Sequence, residues 1–559
     1  MPQRSETTVQ STRDMTTKAL RHQGEKVRSA FFRRVPFLRP PFVSLGVLVS
    51  WWFASLLFGA VAAQEAPLSL SLQEALSIAA KNSYDVKIEK IGLESAEYGL
   101  KASYGIYDLN LSANWSINLQ RDPATSILQA GVGNSVFMQR SDTYGLGLSQ
   151  FTPWGQQFSL TANETRSRTN SSYYLFNPTY SSYASLSTSL PLLKGFGIKN
   201  NHLPVLKAKL DKELAGFQYA RDLRDTLLSV EQAYWDLVYA RENLDVSRSG
   251  LELARQFQSE TAAKIKAGVL APVEQITADA QVAQNEQNIV VAESDVRNRE
   301  DLLKLAMGYS QESKEWNQRV VPSDDPKRNP GDYDEASLIK QAEQQRPEIA
   351  VIAKTLEKNK LDTAFAKNQR LPSLTLQGGL SYAGTAGDYY DPFLNIYVSK
   401  GFSDAWSQVS GMDYKSWNVG LVFSYPIQNR AARFNYQNVR LAQNSTEIQL
   451  EKEKLVVAND VRLALRNLQT TEKRIAAAEL NVKLQQEKLD AEKKKFENGL
   501  STAFNVLSYQ DSLISAKSAL LKARIDNQEA SASLDRAVGT YLASKGLEMA
   551  GTGSGEAKP

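Results

Sequence analysis

Few residues in this chain have the types that do covalent chemistry. The only histidines are His22 and His202, and there is no cysteine. That removes disulfides, thiolate metal sites, cysteine nucleophiles and a lipidated N-terminal cysteine. His22 lies in a segment expected to be cleaved and His202 reads as a loop histidine, so no histidine metal cluster can form. The glycines of "KGFG" (194–197) and "AGVG" (130–133) lack the Lys-Ser/Thr of a phosphate loop. No nucleophile–base pair emerges, so catalytic residues, metal and cofactor are all expected to be absent. An enzyme is the weakest reading.

Amphiphilic ribbons are what the chain offers instead. In "NLSANWSINLQ" (110–120), Leu111, Ala113, Trp115, Ile117 and Leu119 alternate with Asn, Ser and Gln. Side chains alternate across a strand, so one face is apolar and the other polar. The runs 184–190, 372–382 and 416–425 alternate likewise, the last with Trp417, Val419, Leu421 and Phe423 on one face. The polar faces are Ser, Thr, Asn, Gln and Gly, and aromatics concentrate here: Trp115, Tyr144, Phe151, Trp154, Tyr382, Trp406, Trp417 and Tyr425. A barrel in an outer membrane needs this pattern: apolar toward lipid, polar toward a wet lumen, aromatic at the interfaces. A soluble sheet packed on one face alternates too. Three facts favour the barrel: an export signal, the lack of a spare core to cover the apolar faces, and polar faces that are not Lys/Glu-rich. Four strands cannot close a useful bore, and open edges are forbidden in lipid, so strands must be pooled among copies. A further hairpin is read in 142–163, turning at "PWGQ" (153–156). It is expected to extend the extracellular rim or a loop, with a wider barrel as the alternative.

The elements that carry these strands are duplicated. "KIKAGVLAPVEQI" (264–276) aligns with "KFENGLSTAFNVL" (495–507), Gly268 meeting Gly499 at an offset of 231. The same offset carries Gly308 onto Gly539 and the row Leu237, Leu244, Leu251, Gln258, Ile265 onto Leu468, Ile475, Val482, Leu489, Phe496. A seven-residue apolar period predicts helices packed knobs-into-holes, and two rows in register predict an internal duplication. Each half reads as a moderate helix (72–103; 334–369), strands (108–190; 372–426), a very long helix (205–266; 432–497), a glycine turn and a return helix (272–307; 503–544). "Ser71-Leu72-Gln73-Glu74" has the spacing of a capping box. The expected divisions are 64–310 for the first repeat, a polar, proline-rich linker at 311–333, 334–545 for the second repeat and a disordered tail at 546–559.

Residues 1–63 hold nine Lys/Arg and three Asp/Glu, which leaves −2 of the formal +4 for the rest. A near-neutral body argues against nucleic acid as a partner. Arg33, Arg34 and Arg39 precede an apolar run ending Val61-Ala62-Ala63, the order of a secretory signal. Cleavage before Gln64 is expected. The leader is long and translation from Met15 is one alternative; an uncleaved anchor is another.

Taken together, "LSLQEALSIAAKNSYDVK" (70–87), the two glycine turns, "SLPLLKGFG" (189–197) and the doubled layout over 68–545 resemble the TolC-like outer-membrane efflux family. The fold implied is mainly α with a membrane β-barrel. A duplicated coiled-coil α-barrel and four principal strands per subunit would be completed as a homotrimeric twelve-stranded barrel. The resemblance places the protein in the outer membrane of a Gram-negative bacterium, projecting into the periplasm, with a mixed equatorial region near 311–345. Its implied partners are a periplasmic adaptor protein and an inner-membrane pump or secretion ATPase; conduction would be passive.

Carried over residue by residue, Ala267, Gly268, Val269 and Leu270, with Asn498, Gly499, Leu500 and Ser501, would be adaptor-contacting turns. Glu274 would hold an acidic gate position. Asn505 and Ser508 stand where well-known members place two pore aspartates, and Ser501 where they place the arginine that ties the closed gate. An anionic constriction is therefore not expected. Glu274 also reads as an ordinary first-turn acid favoured by the helix dipole, and Phe496 reads equally as core or constriction. The function implied is a trimeric duct for small toxic molecules or secreted proteins. The alternative is a periplasmic coiled-coil spacer or outer-membrane tether without transport.

Overall fold

The computed structural model describes residues 68–547 apart from 127–128, 130–134, 327–330 and 332. The leader, part of the 311–333 linker and residues 548–559 lie outside the described residues. Helices α1 (Leu72–Asn82) and α2 (Tyr84–Ser103) precede strands β1 (Asn110–Pro123), β2 (Val136–Phe151), β3 (Gln157–Thr169) and β4 (Thr179–Pro191). The 64-residue α3 (Leu203–Lys266) and its return partner α4 (Val273–Ala306) follow. The order then recurs: α5 (Glu335–Gln345), α6 (Pro347–Asn368), β5 (Ser373–Gly387), α7 (Phe402–Gly411), β6 (Tyr414–Ser424), the 68-residue α8 (Arg430–Glu497) and α9 (Ala503–Val538). At a rise of 1.5 Å per residue, α3 and α8 each extend roughly 100 Å.

The heptad rows explain why such long helices hold together. Leu237, Leu244, Leu468, Ile475, Leu489 and Phe496 are buried, whereas Leu251, Gln258, Ile265 and Val482 of the same rows are half-buried, so the predicted seam faces inward over most of the second row and over the first part of the first. All four register glycines lie at positive φ: Gly268 at 75°, Gly499 at 73°, Gly308 at 77° and Gly539 at 90°. Side chains with a Cβ rarely adopt that region.

The moderate helix of each half is broken, unlike the continuous ones expected from sequence. Ser83 and Arg346 are extended, at ψ 133° and 125°, and each separates two helices. At Arg346 the cause is Pro347, which disfavours helical backbone in the residue before it. Gly308 packs on the first break, where a Cβ would lie 2.5 Å from the Asn82 carbonyl oxygen; Gly539 packs on the second, beside Gln345 and Arg346. Between the halves, Leu68–Leu70 pairs in parallel with Val320–Pro322. Asp324 accepts from the Leu72 N–H at 2.6 Å and from Tyr234 Oη at 2.8 Å.

The sheet departs most from expectation. Among the described residues, six strands, not four, form one antiparallel sheet in the order β6-β5-β4-β3-β2-β1. The hairpin read at 142–163 is β2 and β3. It is a pair of full-length strands, and its turn sits at the helix end of the sheet rather than on an extracellular rim. Gly155 is at φ +98°, and Gly197 N–H donates to the Trp154 carbonyl at 3.3 Å, which ties the turn to the segment leading into α3. Alternation revealed the ribbons, but pairing partners are long-range and carry no local signal. Trp406, grouped above with strand aromatics, lies instead on α7. That helix rests against β5, where Gln408 exchanges bonds of 3.0 and 3.1 Å with the backbone of Thr385.

Candidate functional site

Two regions have a geometry that suits a function. At one end of the helices lie the two turns. Both long helices stop in the same bond pattern, with a positive-φ glycine just past the cap. Gly268 N–H donates to Ile265 and Val269 N–H to Lys264, both at 2.9 Å; Gly499 N–H donates to Phe496 at 3.2 Å and Leu500 N–H to Lys495 at 2.9 Å. Each turn thereby presents an apolar residue, Val269 and Leu500, at high exposure.

Beneath the turns an apolar cluster joins both helix pairs through Phe257, Ala278, Leu489, Phe496, Ala503 and Val506, with Leu270 packed on it. Phe496 is only 5% exposed, its ring 5.2 Å from that of Phe257, with Lys264 Nζ 4.4 Å above it. Within one copy Phe496 is packed into this cluster. Ser501 donates to Glu492 at 2.6 Å, and Lys495 pairs with the same carboxylate at 3.1 Å. Those two partners hold the Glu492 carboxyl below its ordinary value. Asn505 Nδ2 reaches Ser501 Oγ at 3.4 Å. Asn505 and Ser508 are exposed, and Glu274 is half-buried in the first turn of α4. Ala267 and Asn498 cap the long helices.

The second region is the sheet. Register sets Leu111, Leu148, Leu160, Leu186, Leu380 and Trp417 in one row across all six strands. Ala113, Trp115, Ile117 and Leu119 share that face on β1, and Val419, Leu421 and Phe423 share it on β6. The adjacent row on the opposite face is Ser112, Gly147, Thr161, Ser185, Ser381 and Ser416. The apolar side chains are open to the surroundings: Leu111 is 69% exposed and Trp417 72%. Among the described residues no helix is long and apolar enough to cross a membrane.

A family model described as outer membrane efflux protein matches residues 137–309 and 338–540. The chain belongs to the outer membrane efflux protein family. It is therefore an efflux channel protein of the Gram-negative outer membrane, extending into the periplasm, from a family of channels rather than enzymes. It is 24% identical over 329 residues to outer membrane protein TolC of Vibrio cholerae, covering 58% of this chain and 70% of that protein. Its fold is similar to that of the Campylobacter jejuni CmeC outer membrane channel, with TM-score 0.61, 16% identity, and 90% of this chain and 94% of that one covered. It is also similar to the outer membrane protein VceC of Vibrio cholerae, with TM-score 0.58, 12% identity, and 84% and 96% covered.

Two features of this family member were not evident in the sequence. One is α7, whose start was signalled by Gly401 and Asp404; the Gly401 N–H donates to the Asp404 carboxylate at 2.8 Å. The other is a charge cluster where the halves meet, built on two buried arginines. Glu348 accepts from Arg224 at 2.6 Å and from Arg346 at 3.1 Å, and Arg346 also pairs with Asp460 at 2.9 Å. Arg346 and Glu348 are neighbours, but Arg224 and Asp460 lie 124 and 114 residues from their partners, so no spacing announced the cluster.

Proposed function

We propose that three copies of this chain close head to tail into a channel-tunnel. It passively conducts exported substrates from an inner-membrane pump and its adaptor across the periplasm and outer membrane. The supporting observation is a set of unpartnered faces that the internal repeat matches to faces already paired. Within one copy β4 pairs with β5, and α3 packs against α6 and α9. In the repeat, β6 corresponds to β4, β1 to β5, α8 to α3, α2 to α6 and α4 to α9. The free contacts of one copy thus predict its contacts with the next: β6 on β1, and α8 on α2 and α4.

Apolar residues stand exposed on these faces. On α8 they are Phe434, Leu441, Ile448 and Leu455, seven apart; on α2 they are Tyr84, Ile91 and Tyr98, also seven apart. Val290, Val291, Leu302 and Leu305 are exposed on α4. Such a heterologous contact closes into a ring when its rotation allows. The number three comes from the family resemblance, as does the assignment of Ala267–Leu270 and Asn498–Ser501 to the adaptor. Exposed Val269 and Leu500 suit that docking. Glu274, Asn505 and Ser508 are proposed to line the periplasmic opening, with Phe496 acting on it through packing.

Purified trimers in planar bilayers are expected to conduct. Trimers that insert but never conduct, even with the turns opened by substitution, would establish the non-conducting tether instead.

A further inference from the structure

We infer that the closed membrane barrel has eighteen strands, six from each of three copies, with the edge of β6 on one copy paired to the edge of β1 on the next. The inference rests on the trimer proposed above and concerns the width of its outer-membrane segment. The repeat itself marks where the extra strands enter. Leu72 to Glu335 and Asn110 to Ser373 are both offsets of 263 residues, aligning α1 with α5 and β1 with β5. Beyond the strands the offset is 231, at Gly268 and Gly499. The first half is therefore 32 residues longer in its strand region, close to the span of β2, its turn and β3. A two-strand unit has been added to one half of a four-strand plan.

That unit is built as wall. Leu148 and Leu160 continue the apolar row between Leu111 and Leu186, and Ser149 and Ser159 continue the polar row between Asn110 and Ser187. Leu146, Tyr144 and Ala162 extend the apolar face, which then gives way to charge, Tyr144 facing Glu164, Asp142 facing Arg166 and Arg140 facing Arg168, so the lipid-facing part of the hairpin is its helix-end half and the charged half stands toward the far rim. β2 and β3 have 16 and 13 residues, each more than the 9–11 or so that a tilted strand needs to cross a bilayer. The turn is fixed at the helix end. Gln156 Nε2 donates to Thr188 Oγ1 at 2.9 Å, and Gln150 Nε2 to the Tyr107 carbonyl at 3.3 Å. With β2 and β3 in place, β1 and β4 are separated by two strands, so a twelve-stranded closure would have to break both ladders. The edges left open among the described residues are β1 and β6, and lipid tolerates no open strand edge. Barrel diameter grows roughly in proportion to strand number, so eighteen strands give a bore about 1.5 times that of twelve, in the range of aqueous porins. Its inner rows are mostly hydroxyl, amide and glycine, with Asp122 at the far end of β1 the charged residue on that face of the six strands, so most of this segment passes polar cargo by size rather than by charge.

Electron cryomicroscopy of the trimer in lipid nanodiscs tests this directly, and the expected count is eighteen. A three-subunit particle with twelve strands would overturn the inference and leave the duct standing. A ring of another size with six strands per subunit would overturn both the eighteen and the trimer. Because the chain has no cysteine, single thiols give an independent readout on reconstituted trimers. Ser149→Cys and Ser159→Cys should react with a water-soluble maleimide at least tenfold faster than Leu148→Cys and Leu160→Cys. Equal reaction at all four sites would remove the hairpin from the wall.

Discussion

Gly499 and Gly268 are left-handed with open space around them, so a substitution there strains the backbone without causing a clash. Gly268→Ala or Gly499→Ala should cost about 1 kcal/mol at the turn. Hydrogen exchange at the Val269 and Leu500 amides should quicken while the main melting transition barely moves. Loss of adaptor crosslinking in these variants would follow from a docking role for the turns; normal crosslinking with normal export would remove that role. Asn505→Asp combined with Ser508→Asp should raise sensitivity of conductance to divalent cations, because these exposed positions carry no charge now. The half-buried carboxylate Glu348 predicts a pH effect. Burial pushes its carboxyl up, but hydrogen bonds from Arg224 and Arg346 outweigh that and hold it down at about 2. A depressed carboxylate contributes stability that is complete above its ordinary value and is lost as pH falls toward the folded value. Thermal melts of the wild type should therefore fall between about pH 4.5 and pH 2. Glu348→Gln should flatten that slope, and at neutral pH it should cost on the order of 3 kcal/mol, since two buried arginines lose a partner.

At the level of the element, the ribbon β1 and the helix α8 make opposite demands on their surroundings. β1 sets Ala113 toward the apolar face and Asn114 toward the polar one, separated by a single residue of register. Ala113→Asp should reduce trimer yield from membranes, because a charge on the lipid face is costly. Asn114→Asp should leave assembly intact and shift ion selectivity. The opposite pattern would mean the two faces had been exchanged. On α8 the heptad Phe434, Leu441, Ile448 and Leu455 stands exposed among the described residues. Leu441→Asp with Ile448→Asp should yield folded monomers by native mass measurement. Trimers of unchanged stability would show that this seam faces something other than a neighbouring copy.

Across the whole molecule, the long helices, their seams and their stops were legible in the chain. A seven-residue period and a glycine past the last turn are local signals, and the duplication repeated each of them. The alternation of Leu111, Ala113, Trp115, Ile117 and Leu119 was equally local and carried both the two-faced ribbon and the membrane. The helix breaks at Ser83 and Arg346 were only half legible: Pro347 announced one, while the other is set by packing around Gly308. Pairing lay beyond reach. Residues 142–163 alternated well enough to be read as a hairpin, yet strand periodicity is the same for a strand inside a sheet and one standing off its rim. Hydrogen bonds from β2 to β1 and from β3 to β4 inserted the hairpin into the wall, and they join residues up to about forty apart along the chain. The same holds for the Arg224–Glu348–Arg346 cluster and for the burial of Phe496 against Phe257. Pattern along the chain records which face a residue presents; only folding in three dimensions selects which other segment meets that face, because the partner's distance in sequence leaves no periodic trace.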